Sequence, residues 1–276
     1  MQSTGRNIEL KANNITFCYD DLGTGNTPII FIHGFPFDKS MWELQLDYLS
    51  NYHRVIAYDI RGFGKSLKDD TNASIDLYAD DLLLFMDILQ IKKAVICGLS
   101  MGGYIALRAV YKYPKRFSGL ILSDTQCIAD SAEGKEKRYN SIKQIEESGL
   151  ADFAEGFVKN VFTEDSLENK KEIVDKIKNT ILSTSSETVT QALVALAERR
   201  ETCSTLSSIS IPTLILCGKE DKVTPITQSQ FMQENIKNSK LKIIAAAAHL
   251  SNLEQPDTFN EHLHSFVSAF LYYVAL

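Results

Sequence analysis

Gly98-Leu99-Ser100-Met101-Gly102 sets one serine between two glycines, a G-x-S-x-G pattern. The apolar run KAVICG precedes it, and YIALRAV, with helical spacing, follows it. A strand that becomes a helix within so few residues forces a strained backbone on the residue at the bend. Side chains two positions either way would collide, so glycine is needed there. The bend lifts the serine hydroxyl clear of the strand end, beside the N–H groups that open the helix. A hydroxyl in that place can attack a carbonyl while the donors hold the oxyanion. An ordinary serine-capped glycine turn could share the five residues, but not the strand before and the helix after.

A serine nucleophile needs a base, and the base needs a carboxylate to orient it. His249 follows LKIIAAAA directly and precedes the terminal helix, which makes it the candidate base. His262 and His264 lie within the helical pattern, and His53 starts a strand ahead of the serine. His33 lies on the wrong side of the nucleophile and reads as a satisfied loop histidine. For the acid, Asp221 sits in the loop CGKEDKVTP beyond an apolar strand, where open α/β sheets build sites. Asp124, at the end of the preceding core strand, is its rival. The loop after FIHG supplies a second oxyanion donor: the backbone N–H of Phe35, paired with that of Met101.

These residues require a scaffold that brings strand ends together. The runs PIIFIHG (28–34), HRVIAYD (53–59), KAVICG (93–98), FSGLILSD (117–124), PTLILCG (212–218) and LKIIA (241–245) read as strands, with NITFCYDD as an earlier one. Most lack alternation, as strands buried on both faces do. Ile75, Tyr78, Leu82, Phe85 and Leu89 recur at helical spacing behind Ser74, a suitable N-cap. The βαβ rhythm predicts a mostly parallel sheet with helices on both faces. It breaks between 128 and 200, where four helical segments and no strand follow one another. The expected division is a core of 1–127 and 201–276 with a helical cap of 128–200. In the cap, Phe153, Phe157 and Val161 share one helical face, which either lines a substrate pocket or packs on neighbouring helices.

The 276 residues are 44% hydrophobic and 23% charged with a net charge of −6, the profile of a globular protein without the basic face a nucleic-acid binder needs. No apolar run is long enough to span a bilayer and the N-terminus has no apolar leader core, so a cytoplasmic protein away from membranes is expected. The five cysteines, Cys18, Cys97, Cys127, Cys203 and Cys217, fit no zinc spacing and read as small buried hydrophobes.

HGFPFDKSMW, YDIRGFGKS, CGLSMGGYIALR and CGKEDKVTP with AAAAHLSNLEQPDTFN, in that order, resemble the α/β-hydrolase superfamily across nearly the whole chain. SDTQCIADSAEGKEKRYNSI looks like the segment leading into the cap in the branch of small carboxylesterases and 3-oxoadipate enol-lactonases. The resemblance implies an α/β-hydrolase fold and a serine hydrolase of carboxylic esters, with no metal or organic cofactor and a small ester or lactone as partner. Enol-lactone opening, C–C bond hydrolysis, peroxy-acid formation and a non-catalytic ligand receptor remain alternatives. The family's D-x-R-G-x-G-x-S stands as Asp59, Arg61, Gly62, Gly64 and Ser66, a structural turn. Related dehalogenases and epoxide hydrolases carry aspartate at the position of Ser100, which argues against both. Relatives carry glycine where Ala248 precedes the base.

Overall fold

The computed structural model describes residues 4–12 and 14–274, the side chains of 270–274 excepted. Along the chain come β1 (Gly5–Ala12), β2 (Ile15–Leu22), β3 (Ile29–Ile32), α1 (Glu43–Leu49), β4 (Val55–Tyr58), α2 (Ile75–Ile88), β5 (Ala94–Leu99), α3 (Met101–Lys112) and β6 (Phe117–Ser123). Then follow α4 (Ala132–Ser148), α5 (Ala151–Val161), α6 (Glu164–Asn169), α7 (Lys171–Ser183) and α8 (Ser186–Ala197). The sheet resumes with β7 (Thr213–Gly218), α9 (Ile226–Asn235) and β8 (Ser239–Ile244), and α10 (Ser251–Glu254) and α11 (Pro256–Val274) close the fold.

The strands form one sheet in the order β1-β2-β4-β3-β5-β6-β7-β8. From β4 to β8 every pairing is parallel, while β1–β2 and β2–β4 are antiparallel. This is the α/β-hydrolase fold that the resemblance implies. Neighbouring residues on a strand face opposite ways. Thus Ile30, Ile32, Ile56, Tyr58 and Ile96 pack with α2 and α3, while Ile29, Phe31, Val55, Ala57 and Val95 pack with α1 and α11. Both sets are buried, which explains why the strands read as unbroken apolar runs. Ser74 caps α2 as expected, its hydroxyl accepting the Leu77 N–H.

Two elements depart from the sequence reading. β1, GRNIELKA, is an edge strand with polar and half-exposed residues, so its hydrophobic pattern is faint. The second departure is at the cysteines. Cys18, Cys97 and Cys217 are buried thiols, but Cys127 and Cys203 form a disulfide across 76 residues, with Cα atoms 4.8 Å apart. The expectation that all five are independent small hydrophobes is therefore corrected. The chain leaves the sheet after β6 and returns before β7, so the two feet of the helical block α4–α8 meet. Spacing alone could not reveal that meeting. Among the described residues no helix is long and apolar enough to cross a membrane.

Strand order reverses at β3, whose neighbours are β4 and β5, and the ends of β3, β5, β6, β7 and β8 lie in register. Residues just beyond those ends are gathered at one rim, the usual place for a site in an open parallel sheet.

Candidate active site

Ser100 follows β5 and opens α3 with φ 53° and ψ −113°, a conformation that non-glycine residues rarely adopt. The bend tolerates no side chain beside it. A Cβ on Gly98 would lie 2.1 Å from the Gly102 carbonyl oxygen, and one on Gly102 would lie 2.2 Å from that of Ile32. Ser100 is anchored by its own N–H, which donates to the Ser123 carbonyl at 3.0 Å, and its carbonyl accepts the Thr125 hydroxyl at 2.8 Å.

His249 lies beyond β8 with its ring buried. Its Nε2 is 2.9 Å from Ser100 Oγ, and its Nδ1 is 2.9 Å from Asp221 Oδ2. Asp221, beyond β7, is itself held firmly. Its Oδ1 accepts the Val223 and Thr224 N–H groups at 2.8 and 3.0 Å, and its Oδ2 accepts the Thr224 hydroxyl at 2.6 Å. Three of the residues singled out in the sequence thus form one hydrogen-bonded line. Burial disfavours the imidazolium, but the charge and hydrogen bond of Asp221, with the charges of Asp124 and Glu254, raise His249 above its ordinary 6.5. Burial likewise opposes the Asp221 carboxylate, and the charge and hydrogen bond of His249 with the Thr224 donors hold its pKa below the usual value.

The N–H groups of Phe35 and Met101 have no acceptor among the described residues. That of Met101 heads the twelve-residue helix α3, where the helix dipole favours negative charge. Phe35 follows β3, and Gly34 lets that loop run close to β5: a Cβ there would lie 3.0 Å from the Leu99 side chain.

Above this rim opens a cavity of about 530 Å³ lined by Phe35, Phe153, Phe157, Val161, Leu193, Arg138 and Lys222 among others. Phe153 and Phe157 meet the Phe35 ring edge to face at 6.2 and 6.0 Å. The α5 face read from sequence therefore borders the cavity, while Ala154 and Val158 on the same helix are buried. The cavity lining does not itself include Ser100 or His249; Phe35 and Val161 connect the two, since the Val161 carbonyl accepts the His249 N–H at 3.1 Å.

Other sequence readings also find their places. His33 is buried. Its Nδ1 donates to the Gly34 carbonyl and its Nε2 accepts the Ile60 N–H, while burial pushes its pKa down to about 4. Asp59 accepts the Lys39 and Lys65 N–H groups, and a Cβ on Gly64 would strike its carboxyl at 2.4 Å, so this motif closes a turn. Asp124 makes no hydrogen bond to His249 and instead accepts from Gly218, Ser123 and Ser251. In AAAAH the left-handed residue is Ala246, with φ 51°, not Ala248.

Sequence reasoning missed two residues here. Thr224 stands three after Asp221, a spacing that signals a side-chain-capped turn. Glu254, the buried last residue of α10, accepts the Ala248 N–H at 2.6 Å and both the N–H and hydroxyl of Thr163 at 2.9 and 2.8 Å. It ties the histidine loop to the end of α5 and the start of α6, and no local pattern foretells so long a link.

Known proteins share this arrangement of chain. The family model described as alpha/beta hydrolase fold matches residues 27–256. 3-Oxoadipate enol-lactonase 2 of Acinetobacter baylyi is 32% identical over 262 residues, covering 95% of this chain and 96% of the relative. A thermophilic esterase from Thermogutta terrifontis superposes with a TM-score of 0.90 at 34% identity, covering 95% and 98% of the two chains. The enol-lactonase from Burkholderia xenovorans gives 0.88 at 26% identity, covering 95% and 100%.

Proposed function

The chain belongs to the α/β hydrolase fold family, and from that premise we propose that it is a serine hydrolase that cleaves a carboxylic ester through an acyl-enzyme. One observation carries the reading: the line from Ser100 through His249 to Asp221, with 2.9 Å at each step. Ser100 Oγ attacks the ester carbonyl and its proton passes to His249 Nε2. Asp221 accepts the Nδ1–H hydrogen bond, which fixes the tautomer and favours the cation as it forms. The N–H groups of Phe35 and Met101 hold the oxyanion at the head of α3. The His249 proton then goes to the departing alkoxide. Water, deprotonated by His249 in turn, releases the acid and restores the serine.

The aromatic lining of Phe35, Phe153 and Phe157 suits an apolar portion of the substrate, and helices α4–α8 act as the cap that shapes it. A lactone is an internal ester, so the same steps open one, with the leaving oxygen remaining tethered to the product. The 32% identical enol-lactonase over nearly full length favours an enol-lactone as the second substrate class to test.

The test is covalent. Paraoxon, a phosphate triester that traps activated serines, is expected to add one diethylphosphoryl group to Ser100, read by intact mass and peptide mapping. Ser100→Ala is expected to escape labelling and to lose turnover of p-nitrophenyl acetate by about 10⁶-fold. Labelling elsewhere, or a Ser100→Ala variant retaining more than about a hundredth of the activity, would remove the serine from the mechanism. A panel of acyl esters and lactones on the purified protein then separates the two substrate classes.

A further inference from the structure

Asp124 directly follows β6 and is fully buried, with no salt-bridge partner among the described residues. Its carboxylate is nevertheless crowded with donors from the two loops that matter. Oδ1 accepts the Gly218 N–H at 2.8 Å, and Oδ2 accepts the Ser251 and Ser123 hydroxyls at 2.5 and 2.8 Å. Gly218 is where the loop to Asp221 begins, and the Asp221 N–H turns back onto the Gly218 carbonyl at 3.2 Å. Ser251 stands two residues beyond His249. One side chain therefore grips the loop of the acid and the loop of the base. The fit is close on the Gly218 side: a Cβ there would lie 1.9 Å from the Ala248 carbonyl oxygen.

A clamp alone does not call for a charge. Asparagine could offer its carbonyl to the Gly218 N–H and its amide to the two serine hydroxyls, which can turn to accept. It also tolerates the left-handed backbone found here, φ 45°. What aspartate adds is a second carboxylate, whose charge is costly to bury beyond what its hydrogen bonds offset. That charge lies next to another, for a carboxylate oxygen of Asp124 is within 4.8 Å of one of Asp221. Two carboxylates that close resist being charged together, and a cation arriving beside one of them relieves both.

We propose that Asp124 is a positioning residue of the Ser100–His249–Asp221 line, clamping the loops of Asp221 and His249 and adding its charge to the field that holds the His249 imidazolium. This rests on the reading of His249 as the base. The proton leaving Ser100 lands on His249 Nε2 and the new cation faces Asp221 directly, with the charge of Asp124 adding to that of Asp221. Burial, and then the charge of Asp221, push the Asp124 carboxyl up, while the charge of His249 and the hydrogen bonds of Ser251 and Gly218 act against that rise, so the His249 cation and the Asp124 carboxylate favour each other and titrate as a pair. The other titratable groups around this centre are the thiols of Cys97 and Cys217, both raised by burial and then by the Asp124 charge, and Glu254, which accepts the Ala248 N–H beside His249.

The experiment follows paraoxon inactivation of the full chain from pH 5 to 9 by intact mass, beside p-nitrophenyl acetate turnover, for wild type, Asp124→Asn and Asp124→Ala. Asp124→Asn keeps the clamp and removes the charge. Its acid limb is expected to move to lower pH by on the order of half to one unit, because a base with less negative charge behind it is less basic. Its kcat is expected to stay within about tenfold of wild type. Asp124→Ala loses both functions, and kcat is expected to fall by more than about tenfold with KM nearly unchanged. A purely structural residue would lower melting temperature without moving the acid limb. If Asp124→Ala fails to fold, the Asp124→Asn profile alone decides. A wild-type adduct on Ser100 with superimposable wild-type and Asp124→Asn profiles overturns this proposal and leaves the serine mechanism standing. Absence of any Ser100 adduct in wild type overturns the mechanism and this proposal with it.

Discussion

Replacing Asp221 by asparagine changes one atom, and the surrounding hydrogen bonds dictate where that atom goes. Oδ1 faces two backbone donors, Val223 N–H at 2.8 Å and Thr224 N–H at 3.0 Å, and backbone cannot rotate away. The asparagine carbonyl must therefore take that place, and the amide nitrogen must take the place of Oδ2. That position is 2.9 Å from His249 Nδ1 and 2.6 Å from the Thr224 hydroxyl. The hydroxyl can turn and accept, but Nδ1 must become an acceptor as well. The imidazole proton then moves to Nε2, which is 2.9 Å from Ser100 Oγ and can no longer take its proton. The expected loss is about 10⁴-fold in kcat, or about 5.4 kcal/mol of barrier. Packing is hardly altered, so the melting temperature should stay within a few degrees of wild type. The assay is p-nitrophenyl acetate turnover with thermal unfolding on the same preparations. Asp221→Asn retaining more than about a tenth of wild-type kcat would refute the tautomer argument and with it the role of Asp221.

Three further outcomes are expected. Because His249, the proposed base, is raised above 6.5 and acts in its neutral form on that proposal, kcat/KM should rise with pH and reach half its plateau above pH 6.5; a half-point below 6 would contradict the charge arrangement. Cys127→Ser with Cys203→Ser opens a loop of about 76 residues, for which chain entropy assigns about 4.5 kcal/mol; an unchanged melting temperature in oxidising buffer would show that the bridge does not stabilise the fold. Phe153→Ala and Phe157→Ala should alter the ratio of rates on short and long acyl esters, whereas equal losses on all esters with a lower melting temperature would assign both rings to packing.

The sequence by itself determined the parts whose causes are local. G-x-S-x-G announces its bend because a Cβ at Gly98 or Gly102 would strike backbone two or more residues away or on the next strand, and no other residue type fits. Buried strands such as Ile29–Ile32 are unbroken apolar runs because helices cover both faces. Order along the chain was enough to pick His249 from five histidines, since only it follows the last strand without lying in a helix. Other features depend on segments distant in the chain. The loop beyond an apolar strand favours Asp221 as the acid but leaves Asp124 as its rival; the pairing of β6 with β7 sets Asp124 against Gly218 and leaves Asp221 to turn toward Nδ1. The disulfide, the tie from Glu254 to Thr163 and the meeting of Phe35 with Phe153 and Phe157 likewise join segments between 76 and 122 positions apart. Local pattern reflects what each residue needs from its immediate neighbours. Which distant groups share a buried volume is decided when the sheet and the helical block close over one another, and there the hydrogen bonds and charges of this site acquire their partners.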